Sequence, residues 1–279
     1  MGTPPNAPPN LPPLRDVIRD FGLGARKSLG QHFLLDSNLT GRIARAADPL
    51  CGVNVIEIGP GPGGLTRALL ASDADAVWAV EKDRRCVAAL QVLQDAYPGR
   101  LRILEADALE TDLTALTPAP RAIVANLPYN ISTVLLLQWL RQADQFTRMV
   151  LMFQKEVADR LTAAPGSKAY GRLSVVTQWR AQVRPLFNVS KEAFTPPPKV
   201  ASTVVEVIPR AAPLAPAVMT DLEQVTQAAF GQRRKMLRSS LKGLGLDPAQ
   251  VGINPEARAE DLTVAEFCAL ARLLAERNA

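Results

Sequence analysis

The sequence predicts an α/β domain built on a mostly parallel sheet, followed by a small all-helical domain at the C-terminus. Three observations predict it. Short apolar runs alternate with longer helical stretches from Val53 to Gln154, a glycine loop sits at the first strand-to-helix junction, and strand signals cease after a proline-rich linker at 211–218.

The first thirteen residues hold six prolines (Pro4, Pro5, Pro8, Pro9, Pro12 and Pro13). Proline has no N–H for a helix or a ladder, so residues 1–24 are expected to form a flexible, solvated tail. Within the domain expected over 25–210, VNVIEIG (Val53 to Gly59) reads as a buried strand and GLTRALLA (Gly64 to Ala71) as a helix. DAVWAVE (Asp75 to Glu81) is a strand, and Arg84 to about Ala96 a helix. LRILEAD (Leu101 to Asp107) and RAIVANLP (Arg121 to Pro128) are two further strands. VLLLQWLRQ (Val134 to Gln142) is a helix and RMVLMFQ (Arg148 to Gln154) a fifth strand. Leu173 to Val183 and Val200 to Ile208 read as two more strands around the proline-rich turn TPPPK, which suits a hairpin at a sheet edge. Residues 219–279 read as short helices joined at Gly243, Gly245, Pro248 and Pro255.

The 279 residues are 47% hydrophobic and 21% charged, which excludes a wholly disordered or fibrous chain. Lysine and arginine number 32 against 27 acids, a net charge of +5 that permits a polyanionic partner without requiring one. No apolar run approaches the ~20 residues of a membrane helix, and the N-terminus lacks a secretory pattern. Cys51, Cys86 and Cys268 lie far apart and His32 is the one histidine, so neither a metal site nor a disulfide framework is expected, and a reducing cytoplasm is the expected setting.

Gly59, Gly61 and Gly64 formally satisfy the dinucleotide pattern G-x-G-x-x-G, and Glu81 follows Gly59 by 22 residues. The residues between them argue against a pyrophosphate. Phosphate is held by successive backbone N–H groups, and Pro60 and Pro62 have none. A ligand without phosphates fits better, and S-adenosylmethionine is such a ligand. Glu57 would add negative charge on its cationic side. Glu81 would accept from both ribose hydroxyls, and Asp107 from the adenine amino group. The plain alternative is a glycine-rich turn with solvated acids at strand ends. Three such features at the carboxyl ends of successive parallel strands, where ligands of these sheets bind, favour the site.

Asn126-Leu127-Pro128-Tyr129 ends the fourth strand at that same edge. An aromatic exocyclic amine is a poor nucleophile because its lone pair is delocalised into the ring. The Asn126 side-chain oxygen and the Leu127 carbonyl, held by Pro128, can draw its two hydrogens and favour a tetrahedral nitrogen. Tyr129 would stack on the base, worth roughly 1–3 kcal/mol. Phe194 is a candidate for the opposite face or a core residue.

The segments EIGPGPGGLT, VEKDRR, EADAL, NLPYNIST, FTPPPKVASTVV and FGQRRKMLRSSL stand in an order that resembles the ribosomal RNA adenine N6-dimethyltransferases, and within them the bacterial branch that acts on 16S rRNA. The resemblance runs from about Lys27 to the C-terminus. It implies a class I (Rossmann-like) methyltransferase fold with a helical C-terminal domain. It also implies transfer of four methyls from S-adenosylmethionine to two adjacent adenosines of the 3′-terminal hairpin of small-subunit RNA, within an immature subunit. By position it implies cofactor contacts at His32, Leu34, Gly59, Gly61, Glu81, Asp107 and Asn126. His32 departs from the family's G-Q-N-F-L segment, where asparagine is usual.

Arg233, Arg234, Lys235, Arg238 and Lys242 add five positive charges with no acid between them, equal to the whole net charge. On one continuous helix, Phe230, Leu237, Leu241 and Leu244 would share an apolar face and these cations an adjacent one. That face is read as the RNA-binding surface. Arg26, Lys27 and the stretch from Lys168 to Arg172 would extend it, with Gly166 and Gly171 letting that loop close over substrate. A monomer is expected. The competing functions are a macrolide-resistance type methyltransferase of large-subunit RNA, a nicotinamide dehydrogenase and a non-catalytic ribosome-assembly factor. The dehydrogenase leaves the segment Asn126 to Tyr129 without a role.

Overall fold

The structure, a computed structural model, describes residues 11–26, 29–232 and 234–278. Its centre is a seven-stranded sheet of order β4-β3-β2-β5-β6-β9-β7. The strands are β2 (Asn54–Ile58), β3 (Ala76–Glu81), β4 (Leu101–Glu105), β5 (Arg121–Asn126), β6 (Arg148–Gln154), β7 (Ala181–Val189) and β9 (Ser202–Pro209). β2 through β6 are mutually parallel where they pair, and β9 runs antiparallel to β6. The two short strands β1 (Phe33–Leu34) and β8 (Phe194–Thr195) pair with each other. The chain winds outward from β2 through β3 to β4, then returns to place β5 on the other side of β2. Parallel strands end at a common edge, so this reversal opens a crevice at the carboxyl ends of β2 and β5.

The central strands are buried almost throughout, as expected of a parallel sheet covered on both faces. Val55, Val77, Val124, Val150 and Met152 share a core with Ile43 of α2 (Ser37–Arg45), Leu69 and Leu70 of α3 (Gly64–Leu70), and Leu90 and Leu93 of α4 (Arg84–Ala96). Each such leucine contributes ~1.5–3 kcal/mol by leaving water. Asp36 and Asp83 cap α2 and α4 by accepting the N–H groups of Asn38 and Arg85.

Three expectations are corrected. Part of the stretch read as tail, Leu14–Asp20, is a helix, α1. Val17 and Leu23 bury against Cys86 and Ala89 of α4, which gives this stretch an apolar anchor that its proline content conceals. The rest of the tail, residues 1–10, lies outside the described residues.

Leu173 to Val183 is mostly not a strand: Arg172–Arg180 is a helix, α8, and the strand of the edge hairpin is β7. The run Leu173-Ser-Val-Val-Thr-Gln-Trp is β-branched, but Leu173 through Thr177 and Trp179 are buried. A helix buried on nearly every side loses its polar face, and with it the period that distinguishes helix from strand.

Finally, the second compact unit begins its long segment at Pro209, beside the linker expected at 211–218, but also takes in earlier segments that the expected division left in the first domain. The second unit comprises Trp139–Ala143, Glu156–Val183 and Pro209–Ala279. Its core joins Val175 and Trp179 of α8 to Leu222 and Val225 of α9 (Met219–Gly231) and Phe267, Leu270 and Leu274 of α11 (Val264–Asn278). The C-terminal helices complete their apolar core with a segment from earlier in the chain, which a boundary drawn along the sequence cannot express.

Candidate active site

A cavity of ≈ 320 Å³ lies at the carboxyl edge of β2, β3 and β5, near the lower end of the range for small-molecule sites. His32, Leu34, Gly59, Gly61, Glu81, Asp107, Asn126, Leu127, Pro128 and Tyr129 all line it. Glu57 lines it too, along with Gly30, Gln31, Lys82 and Asn130, which the sequence reading did not assign. Lys82 and Gln31 adjoin assigned residues and lie within the VEKDRR and GQHFL segments, the signals that pointed to them.

The loop after β2 carries left-handed backbone at Gly59 and Gly61, φ +64° and +57°. Its N–H groups are engaged within the protein. Gly59 donates to the Val80 carbonyl at 2.9 Å, Gly61 to Glu81 Oε2 at 3.0 Å, and Gly63 to the Pro60 carbonyl at 3.1 Å. With Pro60 and Pro62 lacking an N–H, residues 59–63 offer no free N–H to a pyrophosphate.

Glu81 ends β3. Its Oε1 accepts the Asp83 N–H at 2.7 Å and its Oε2 the Gly61 N–H. Burial raises its pKa above the ordinary carboxylate value, and these two hydrogen bonds oppose the shift. Asp107, in the turn after β4, accepts from Lys82 Nζ at 2.6 Å and the Leu109 N–H at 3.0 Å. The Lys82 hydrogen bond, chiefly, holds its pKa below the usual value, so it stays ionised.

Glu57 is different. It is 1% exposed and its Oε2 has no hydrogen-bond partner. Burial pushes its pKa up to about 8, with the Thr66 hydroxyl partly offsetting that and Glu81 adding to it. Without a ligand Glu57 is therefore held mainly as the neutral acid near pH 7, and the negative charge expected of it depends on a cation beside it. A cationic ligand group would draw the charge out, so this orphaned acid fits S-adenosylmethionine.

Asn126 ends β5. Its Nδ2 donates to the His32 carbonyl at 3.0 Å. A carbonyl only accepts, so this bond fixes the amide's orientation and keeps Oδ1 as the acceptor. The His32 Nδ1 lies 2.8 Å from the Pro196 carbonyl and by the same logic carries the proton. Its ring stacks on Tyr129 with centroids 5.5 Å apart and planes at 30°. The Tyr129 hydroxyl bonds Ser202 Oγ at 2.7 Å, a tether across 73 positions with no sequence signal.

For Phe194 the structure favours the second of the two readings, a core residue. It is 2% exposed, belongs to the core, and shows His32 a ring edge at 6.4 Å. The aromatic neighbour of Tyr129 is His32. Pairing of β1 with β8 explains this, because Leu34 opposite Phe194 draws that side chain inward.

The cationic segment is not on one helix. α9 ends at Gly231, and a new short helix, α10 (Leu237–Ser240), begins after a turn. Leu237 and Leu241 are buried, while Phe230 and Leu244 are partly so; each packs in the same core from its own piece. Glycine at the helix end and the pairing of Met236 with Arg258 replace the continuous helix. Arg234, Lys235, Arg238 and Lys242 are exposed. Arg238 meets Glu256 at 3.5 Å, an acid supplied from outside the segment. Arg233 and Lys27 lie outside the described residues. The stretch around Tyr170 is not a free loop. Tyr170 is wholly buried, with its ring edge toward Phe230, and the Gly166 N–H donates to the Glu260 carbonyl at 2.7 Å.

Among the described residues, Cys51, Cys86 and Cys268 are free thiols. Among those same described residues, no cluster of three or more His, Cys, Asp or Glu could hold a metal ion, and no helix is long and apolar enough to cross a membrane.

The chain is 65% identical over 268 residues to a ribosomal RNA small subunit methyltransferase A of Paramagnetospirillum magneticum, covering 95% of each chain. It is 62% identical to the protein of that name from Rhodospirillum rubrum, covering 93% of this chain and 91% of the relative. Among solved structures, a dimethyladenosine transferase from Plasmodium falciparum matches with a TM-score of 0.76 at 26% identity, over 88% of this chain and 98% of that one. The 23S rRNA methyltransferase ErmE matches with a TM-score of 0.66 at 25% identity, over 87% and 99%. The model of the ribosomal RNA adenine dimethylase family matches residues 22–276. The chain belongs to the ribosomal RNA adenine dimethylase family.

Proposed function

We propose that this enzyme transfers methyl groups to N6 of two adjacent adenosines in the 3′-terminal hairpin of 16S rRNA, giving N6,N6-dimethyladenosine. The names of the bacterial relatives support the small-subunit substrate. S-adenosylmethionine supplies an electrophilic methyl on its sulfonium. Glu81 accepts from the ribose hydroxyls, Asp107 from the adenine amino group, and Glu57 faces the cationic end.

The observation that carries the reading is the fixed Asn126 amide, whose oxygen remains an acceptor because its nitrogen is held by the His32 carbonyl. Asn126 Oδ1 and the Leu127 carbonyl draw the two hydrogens of the target amine and favour a tetrahedral nitrogen. No base is needed before attack, since the methylated nitrogen is acidic enough to lose its proton afterwards. Tyr129 offers a face for the base. Exposing a paired base costs a few kcal/mol, and adenosines in a loop lower that cost.

The substrate form is an immature small subunit, met by a monomer in the cytoplasm. Arg234, Lys235, Arg238 and Lys242 bind RNA phosphates. The test is incubation of purified protein with labelled S-adenosylmethionine and immature small subunits, followed by digestion of the RNA. N6,N6-dimethyladenosine in 16S rRNA is expected. Label confined to large-subunit RNA would overturn the substrate.

A further inference from the structure

Two walls of the cavity meet at a residue that the reading above does not use. The Asp83 N–H donates to Glu81 Oε1 at 2.7 Å, so the backbone of Asp83 helps to aim the Glu81 carboxylate. Its side chain, 2% exposed, holds a different wall. Asp83 Oδ2 accepts from Gln31 Nε2 at 3.0 Å and from Arg85 Nη2 at 2.7 Å. Oδ1 accepts from the Arg85 N–H and from Arg85 Nε, each at 3.1 Å.

Gln31 lines the cavity and immediately precedes His32. Its Oε1 accepts the Arg26 N–H at 2.9 Å. The Arg85 guanidinium continues the network to the carbonyls of Gly22, at 3.1 Å, and Gly24, at 3.3 Å. Residues 23–26 belong to no helix or strand, and these side-chain ties hold them, along with the burial of Leu23 and its N–H bond to the Ile18 carbonyl. A buried carboxylate is stable only when paired and hydrogen-bonded, and here the pairing is complete. The Arg85 hydrogen bonds hold the Asp83 pKa down at about 2, so the acceptor facing Gln31 stays charged, and charged acceptors bind donors more strongly than neutral ones.

We propose that Asp83 is a positioning residue for the cofactor, a clasp that holds the ribose acceptor Glu81 and the Gln31–His32 strap at one fixed spacing across the cavity. The proposal rests on the reading of Glu81 as that acceptor. Releasing the strap leaves both backbone donors to Glu81 in place. The loss should therefore fall on cofactor affinity more than on folding or turnover.

The test uses the full chain with S-adenosylhomocysteine as calorimetric probe, thermal melting, and steady-state methylation of small subunits. For Gln31→Ala we expect the Kd to rise about ten- to fifteenfold, the low end of what losing one hydrogen bond to a charged group costs. Its Tm should stay within about 2 °C of the parent, and the KM for S-adenosylmethionine should rise more than kcat falls. Asp83→Asn keeps the backbone N–H and should weaken binding at least as much. The double variant should bind no more weakly than Asp83→Asn alone, since both changes remove one contact. Additive losses would mean that Gln31 acts on the cofactor directly and would overturn the clasp. Parental affinity in both single variants, with Glu81→Gln weakened, would reduce Asp83 to a structural role. Parental affinity in Glu81→Gln would overturn the ribose reading, and the clasp with it.

Discussion

Cofactor binding should expel a proton from Glu57. Its carboxyl is buried, one oxygen has no partner, and its pKa stands at about 8. At pH 7 a group with that pKa is about nine-tenths protonated. Seating the cationic end of S-adenosylmethionine beside it favours the charged form and lowers the pKa. Binding at pH 7 should then release up to about 0.9 proton per cofactor. Affinity should rise with pH by at most about tenfold per unit and level off above about pH 8.

Calorimetry at pH 7 in buffers of different ionisation enthalpy reads the release as the slope of observed enthalpy against buffer enthalpy. Glu57→Gln imitates the neutral acid in shape and should abolish the slope. A buffer-independent enthalpy in the parent would refute the reasoning. A slope retained in Glu57→Gln would move the proton to Glu81, whose pKa is also raised. The free protein shows the same linkage in its stability. The folded state holds the Glu57 proton more tightly than the unfolded state. Its contribution to stability therefore falls as pH rises from the ordinary carboxylate range to about 8, and changes no further beyond that.

Other outcomes follow from the same geometry. Asn126→Ala should lower kcat by about 10²–10³, as removal of a transition-state hydrogen-bonding group does, while calorimetry with S-adenosylhomocysteine shows largely preserved binding. An equal loss of both would make Asn126 a cofactor or folding residue. Neutralising Arg234, Lys235 and Arg238 should reduce the slope of log binding constant against log salt by about two to three units. An unchanged slope would return them to a solvated face. In Gly64→Ala, the new Cβ would press on the Leu34 carbonyl oxygen and lie 3.2 Å from Leu14 Cδ2. Denaturant unfolding should show a loss of about 1–3 kcal/mol. Cofactor binding should weaken too, because Leu34 lines the cavity.

The order of strands β2 to β6, the glycine loop and the acids at the strand ends were legible because each is a local pattern. Parallel pairing then brings their carboxyl ends to one edge, whatever the details of packing. The preference against a phosphate ligand was legible for a local reason too, since two prolines remove donors. What required the tertiary structure was every property set by neighbours distant in the chain. The β-branched run in α8 supports either helix or strand, and its burial against α9 and α11 selects the helix. Glu57 reads as an anion until its burial, with one oxygen unpartnered, makes it an acid. His32 lies on Tyr129, and Asp83 holds Gln31, across 97 and 52 positions. Side-chain orientation and protonation depend on what surrounds a group in space, and spacing along the chain carries no record of it.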